Sequence, residues 1–286
     1  MFRSLASRCN EQGNEAKGVT AFLFYRAATL LAPTWSDPWY NLGFRAKYSR
    51  QWKHSLTYNK RAASLSPTDE ATLWNLAIAA TALHQWEVAA NAWTQLGVAT
   101  VLEDGELRIP ERTDCVRLQP NEKSEVVWGT RRDPVRMMVD NVPLPESQRR
   151  YHDIILHDGA ANGSRTHQDN EYVVFDEIEV WRQSDYSTFE ATLFIASDAE
   201  SEVLHALCNH HEVGFEDWSS IRILCTQCSL GNPDKHACAI EERGQTGERR
   251  YGFAATSQKA LMDVLNEWHE ECPAAVLSDL RLVFSA

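Results

Sequence analysis

The chain has 286 residues, of which 43% are apolar and 24% are charged, so it has the composition of a soluble globular protein and the length for two or three domains. Its net charge of −12 argues against a nucleic-acid partner and against binding to anionic membranes, because both require clustered Lys and Arg. Seven cysteines, odd in number and unevenly spaced, do not suggest a secreted disulfide framework, and no stretch resembles a signal peptide or a membrane span, so we expect a cytoplasmic protein.

The first hundred residues repeat with a period of 34. The matching pairs are Ala28 and Ala62, Pro33 and Pro67, Asn41 and Asn75, Leu42 and Leu76, and Trp52 and Trp86. Three units cover roughly residues 2 to 103, which is the minimum number of stacked helical hairpins that buries a continuous core.

The stretch WYNLGFRAKYSRQWKHSLTYNKRAASLSP, residues 39–67, resembles a tetratricopeptide repeat. Its opening Trp-Tyr-Asn-Leu-Gly ends at Gly43, Ala62 falls in the second helix, and a proline follows that helix. Ser55 and Asn59 depart from the family's pattern, which prefers small or aromatic residues at those places. The resemblance implies three helical hairpins over residues 1–104.

In that family the first helix of each hairpin lines a concave groove that binds a protein or peptide. The resemblance places these residues in the groove: Asp37, Tyr40, Phe44, Lys47, Tyr48, Trp74 and Ile78. Exposed Tyr and Trp are typical of binding hot spots, so we expect the partner to be another protein or peptide. In the alternative interpretation, another segment of the same chain fills the groove.

After Gly105 the pattern changes to short strands punctuated by proline, which predicts a mainly-β module over residues 105–187. The predicted strands are Val116–Leu118, Glu125–Thr130, Val135–Asn141, Asp153–Leu156 and Tyr172–Trp181. Asp153 and His157 alternate along one strand and Asp158 follows, so a divalent-metal or acid–base site is one hypothesis for this segment. The other is a strand that ends in an Asp-Gly turn with no function.

Residues 188–286 alternate as strand, helix, strand, strand, helix, strand, which is the order of a ferredoxin-like domain. Ser197 or Asp198 starts the first helix, and Thr256 or Ser257 starts the second. With seven basic and sixteen acidic residues this region carries a net charge of −9, which favours a basic partner. The whole chain is therefore predicted to be an α+β multidomain protein.

The loop CTQCSLGNPDKHAC contains Cys225, Cys228, His236 and Cys238, a possible zinc-binding set. Four protein ligands leave no open position, so the site would be structural rather than catalytic. Two alternatives stay open: thiols without metal, and a redox dithiol. The second is less consistent with the sequence, because redox Cys-x-x-Cys pairs usually precede a helix and this one precedes Ser-Leu-Gly-Asn-Pro.

None of the common nucleotide-binding, hydrolase or metalloprotease motifs occurs in the chain. These patterns predict a non-enzymatic protein that recognises another protein. It would be a scaffold or adaptor, or a neutralising partner such as the immunity protein of a bacterial toxin, whose acidic surface would occlude a basic active site. A metal-dependent enzyme acting through Asp153, His157 and Asp158 is the rival hypothesis.

Overall fold

The computed structural model describes residues 2–120, 124–168, 170–195, 197–219 and 247–286. It shows a mixed α+β chain in which helices come first and a strand-rich region follows. The chain divides into two compact units, Met1–Pro110 with Arg132–Val135, and Glu111–Arg131 with Arg136–Ala286. Within the described ranges, every helix is too short or too polar to cross a membrane.

Six helices dominate the first unit. They are α1 (Phe2–Glu15), α2 (Gly18–Leu31), α3 (Ser36–Tyr48), α4 (Trp52–Leu65), α5 (Glu70–Ala82) and α6 (Trp86–Gln95). The turns after α3 and α5 are equivalent, because Arg50 and His84, 34 residues apart, both adopt the left-handed conformation at φ 55° and 56°. In each turn the next amide donates to the carbonyl five residues earlier at 2.8 Å, a hydrogen bond that closes the end of a helix.

A buried polar contact joins α3 to α4. Ser55 and Asn59, both fully buried on α4, form it beside Gly43 on α3. The Ser55 hydroxyl donates to the Gly43 carbonyl at 2.9 Å, and the Asn59 amide donates to the Ser55 carbonyl at 2.9 Å. The two departures from the repeat pattern are therefore packing residues, and they hold the helices close where Gly43 has no side chain.

A short hairpin, β1 (Val101–Glu103) with β2 (Glu106–Arg108), completes the helical unit. Its two-residue turn is Asp104-Gly105, and both residues have positive φ, at 50° and 77°. Asp-Gly is a favoured pair for such a turn, because its twist matches that of the flanking strands.

Five strands of the second unit form a closed barrel. They are β3 (Thr113–Leu118), β4 (Glu125–Arg131), β5 (Arg136–Val139), β6 (Ile154–His167) and β7 (Asn170–Arg182). Neighbours along the chain pair antiparallel, and β3 closes the barrel by pairing parallel to β7. The interior is apolar and includes Val116, Met137 and Ile155.

The prediction that a strand ends in a turn at Asp158-Gly159 is wrong, because β6 continues to His167. Near its glycines β6 pairs irregularly with β7: the register shifts between His157 and Ala161 and again before Ser164. Gly159 adopts φ 74° there. Positive φ at a glycine is compatible with a bulge as well as with a turn, and the long partner strand favours the bulge.

The residues described in the C-terminal part of the second unit form a four-stranded antiparallel sheet with two helices. The strands β8 (Ser187–Ile195), β9 (Gly214–Asp217), β10 (Gly247–Ala255) and β11 (Val276–Phe284) lie in the order β11-β8-β10-β9. Helices α7 (Asp198–His210) and α8 (Gln258–Glu271) contribute Leu204 and Trp268 to one apolar core with the sheet. Ser197 and Ser257 cap them, as predicted, by accepting backbone N–H groups.

The barrel and the C-terminal sheet pack together through Trp218. Its indole N–H donates to the Val142 carbonyl at 2.8 Å, and its ring packs with Ala254. Gly252 on β10 lies directly beneath the ring, where a Cβ atom would overlap the indole carbons. The contact makes barrel and sheet parts of one compact unit.

Candidate protein-binding surfaces

Three aromatic side chains follow one side of α3 at a spacing of four residues. The Tyr40 and Phe44 ring centroids are 6.0 Å apart, and those of Phe44 and Tyr48 are 4.9 Å apart with an edge-on contact. Phe44 is 39% exposed and Tyr48 is 55% exposed. We call Tyr40, Phe44 and Tyr48 the aromatic face. The repeat of four residues aligns their side chains along one stripe of the helix.

Lys47 lies beneath this stripe. Its ammonium nitrogen is 4.6 Å from the centre of the Tyr48 ring and 5.3 Å from that of Phe44, so it makes cation–π contacts with both. The side chain is buried, with 2% of its surface exposed. Lys47 therefore orders the aromatic face, whereas the sequence suggested a residue that contacts the partner directly.

The remaining residues predicted for the groove differ in exposure. Asp37 is exposed in the first turn of α3 and accepts a hydrogen bond from the Ser36 hydroxyl at 2.9 Å. Trp74 on α5 is half-buried and packs edge-on against Trp93, with ring centroids 4.9 Å apart. Ile78 has no exposed surface. Phe44 and Tyr48 on α3 are exposed where a partner can reach them, whereas Ile78 on α5 is not.

The second unit contains a cleft of about 420 Å³ that sequence reasoning missed. Its lining residues come from α7 and β9: Asp198, Ser201, Glu202, His205, Phe215, Glu216 and Asp217. We call this the acidic cleft. The sequence signalled a net acidic region, but its four carboxylates come from segments that meet only through the pairing of β9 with β10 and the packing of α7 against the sheet.

The carboxylates of the acidic cleft have different environments. Burial raises the pKa of Glu216, although its carboxylate accepts a hydrogen bond from the Asn141 amide at 2.7 Å. Asp217 forms an ion pair with Arg249 at 2.7 Å. Asp198 and Glu202 are exposed on α7. The cleft is therefore suited to a cationic group that approaches from the α7 side.

Asp153 has a structural role. It precedes β6 and is 1% exposed. One carboxylate oxygen accepts a hydrogen bond from the Arg150 backbone N–H at 2.8 Å, and the other accepts one from the Ser184 backbone N–H at 2.9 Å. Burial raises its pKa while these hydrogen bonds oppose the rise. Both oxygens connect neighbouring loops, and these hydrogen bonds account for the burial of the carboxylate.

His157 is buried within the barrel, where its ring stacks on Phe175 with 4.4 Å between centroids. Its Nδ1 accepts the Gly159 amide at 3.0 Å, and burial lowers its pKa well below the usual range. Asp158 is half-buried. Across the ranges that the structure describes, no three His, Cys, Asp or Glu residues are grouped so that they could hold a metal ion.

The four predicted zinc ligands, Cys225, Cys228, His236 and Cys238, lie outside the described residues. Cys208 precedes the loop in the chain; it is fully buried on α7, and burial raises the pKa of its thiol to about 12. A thiol of this kind stays protonated at neutral pH and is a poor metal ligand.

No protein-family model matches the chain, and no curated protein sequence matches it. Among solved structures, the chain is similar to a hypothetical protein from Neisseria gonorrhoeae, with 12% identity and a TM-score of 0.23 over 62% of this chain and 99% of that one. A similarity at this level supports no functional inference.

Proposed function

We propose that this chain is a non-catalytic protein-recognition module, a scaffold or adaptor, whose partner binds the aromatic face of α3. The observation that carries the proposal is the exposure of Phe44 and Tyr48 in an ordered aromatic stripe on a helix. Exposed aromatic side chains held in one conformation are typical of binding hot spots, since they offer a large apolar area at little entropic cost.

The proposed architecture agrees with this function. The 34-residue spacing of the α2, α4 and α6 starts, at Gly18, Trp52 and Trp86, supports three tetratricopeptide-like hairpins. In the C-terminal region the strand order, fourth-first-third-second along the sheet, and the packing of both helices into one core support a ferredoxin-like domain. The first architecture commonly presents helices to protein partners, and the second implies no particular chemistry.

The acidic cleft supports a basic partner. Asp198 and Glu202 point to recognition of Lys or Arg side chains at the cleft, and the net acidity of the C-terminal region would accelerate the approach of a positively charged protein. A specific form of the proposal is an immunity protein that binds the basic active site of a bacterial toxin. The rival metal-dependent enzyme has less support, because Asp153 and His157 already have structural partners.

The decisive experiment is affinity capture from native cells with wild type beside Phe44→Ala/Tyr48→Ala, followed by mass spectrometry and measurement of Kd for the captured protein. A matched control is Phe194→Ala/Leu282→Ala, a pair of similar exposure on the C-terminal sheet, at 45% and 55%. Loss of two hot-spot rings should weaken binding by about 30-fold or more, and the control pair should not.

A partner that binds both variants with wild-type affinity would remove the aromatic face from the proposal. If the captured partner proves toxic when expressed without this chain, and co-expression restores growth, the immunity form holds. A partner that is harmless alone favours the scaffold form. Hydrolytic or other activity that disappears on His157→Gln, while the fold survives, would support the rival enzyme instead.

A further inference from the structure

The outer side of the α1–α2 hairpin is apolar and open to solvent. Six side chains make up this surface: Phe2 and Leu5 on α1, and Val19, Phe22, Leu23 and Leu30 on α2, with exposed fractions from 39% to 75%. We call it the hairpin face. On the opposite side of α2, Ala21, Tyr25 and Ala28 are buried against the rest of the helical unit. The helix is thus apolar on both sides.

The repeat itself shows that this is unusual. Helices α2, α4 and α6 begin 34 residues apart, so their positions can be compared directly. The exposed positions held by Val19, Leu23 and Leu30 on α2 are held on α4 by Lys53, Thr57 and Ser64, which are exposed and polar. The first two correspond on α6 to Glu87 and Asn91, also exposed. Only α2 carries apolar side chains at these places.

The position of Phe22 also differs in exposure between the repeats. Phe22 is 39% exposed, whereas Leu56, its equivalent on α4, is only 6% exposed. Stacking with neighbouring hairpins buries such positions in the interior of an array, whereas on α2 this position stays exposed.

The spacing on α2 fits a helical occupant. Val19, Leu23, Arg26 and Leu30 follow each other at intervals of four, three and four residues, the pattern of a seam between two packed helices. Arg26 is half-buried and contributes a single charged position to an otherwise apolar seam. A charged seam residue costs stability but restricts the alignment of the two helices.

We propose that the hairpin face is the interface of a symmetric homodimer, in which the α1–α2 hairpin of one copy packs against the same hairpin of a second copy. The six side chains expose about 700 Å², close to the roughly 800 Å² per partner of a stable interface. An isologous contact needs only one self-complementary surface, and a second copy supplies the helical seam.

Charge agrees with this arrangement. Residues 1–31 contain four basic and two acidic residues, a net charge of +2, so the strong acidity of the chain does not act at the hairpin. A membrane is the poorer occupant, because a helix that lies in a membrane surface turns a charged polar side to water. Helix α2 has no such side, since the side opposite the hairpin face is buried in protein.

The test is sedimentation velocity of the full chain from about 1 to 100 μM. Wild type should approach twice the monomer mass of 32.5 kDa as its concentration rises. The variant Val19→Lys/Leu23→Thr/Leu30→Ser transfers the outer residues of α4 onto α2 and should raise the dimer Kd by at least about tenfold. The milder variant Leu23→Thr/Leu30→Ser should show an intermediate shift.

The matched control is Val101→Lys/Leu102→Thr on β1, where two exposed apolar residues, 61% and 65% exposed, are replaced in the same way. It should dimerise like wild type. Circular dichroism should show unchanged helix content in all variants, because the replaced side chains are exposed. A wild type that stays monomeric at the highest concentration, or outer-face variants that dimerise normally, would overturn the proposal. A monomer that cosediments with phospholipid vesicles would assign the face to a membrane and would also overturn it.

Discussion

Replacing Gly43 by alanine tests whether the polar contact between α3 and α4 is as tightly packed as the structure indicates. A Cβ atom at this position would lie 2.5 Å from the Asn59 side-chain oxygen and 2.6 Å from its carbon and nitrogen. Asn59 cannot move away freely, because it is fully buried and its amide donates to the carbonyl of Ser55. The added methyl group must therefore displace a held side chain or push the helices apart.

Two effects of opposite sign set the magnitude. Alanine in a helix interior is favoured over glycine by about 0.5–1 kcal/mol. Overpacking of a filled interior costs about 1–3 kcal/mol. The clash should win, so we expect Gly43→Ala to lower the free energy of unfolding of the helical unit by about 1–2 kcal/mol, a substantial part of the stability of a typical domain.

A double-mutant cycle separates the clash from any general effect on the helix. The change is measured by urea unfolding followed through far-UV circular dichroism, with hydrogen exchange of α3 and α4 peptides to localise it. When Asn59 is first replaced by alanine, space is available at Gly43, and the second substitution should become neutral or stabilising. If Gly43→Ala is equally destabilising in both backgrounds, or stabilising in the wild type, the packing argument is wrong.

Three further predictions follow from the second unit and the cysteine loop. Burial raises the pKa of Glu125 from 4.5 to about 7, so the folded state binds the proton of the Glu125 carboxyl group more tightly than the unfolded state does. The stability that Glu125 contributes is therefore fully present below about pH 4.5 and is lost as the pH rises through 7. Glu125 should therefore contribute a fall of about 2 kcal/mol in unfolding free energy between pH 5 and 8, and Glu125→Gln should remove that contribution in parallel urea titrations. For the cysteine loop we expect elemental analysis to find about one zinc per chain, and we expect Cys228→Ser to lose that zinc. Protein that contains no metal when purified without chelator would contradict the zinc hypothesis. For the acidic cleft, Asp198→Asn/Glu202→Gln should slow association with a basic partner several-fold at low salt but hardly at high salt, and an effect independent of salt would contradict a charge-based role.

The parts of the candidate site predicted from sequence are those with a helical period. The spacing of Tyr40, Phe44 and Tyr48 by four residues is visible in the sequence, and the helix aligns the three rings along one side. Exposure was not predictable in the same way. Lys47 and Ile78 follow the same family pattern and are buried, because the depth of a side chain depends on neighbouring elements that the pattern does not describe.

The same limit explains the errors in the strand-rich region. An Asp-Gly pair ends one strand pair at Asp104-Gly105, whereas β6 continues past Asp158-Gly159. The two pairs are locally alike. The difference is that β7 is long enough to keep pairing beyond Gly159, so the chain absorbs the positive φ in bulges.

By itself the sequence determined that helices come first and a strand-rich region follows, the 34-residue period, the serine caps of α7 and α8, and the acidity of the C-terminal region. These depend on interactions between residues close in the chain, or on composition alone. Only the tertiary structure decided which aromatic rings are exposed, why Ser55 and Asn59 are needed beside a glycine, and which carboxylates share a cleft. Each of these depends on contacts between segments far apart in the chain, and such contacts produce no periodic pattern in the sequence from which they could be predicted.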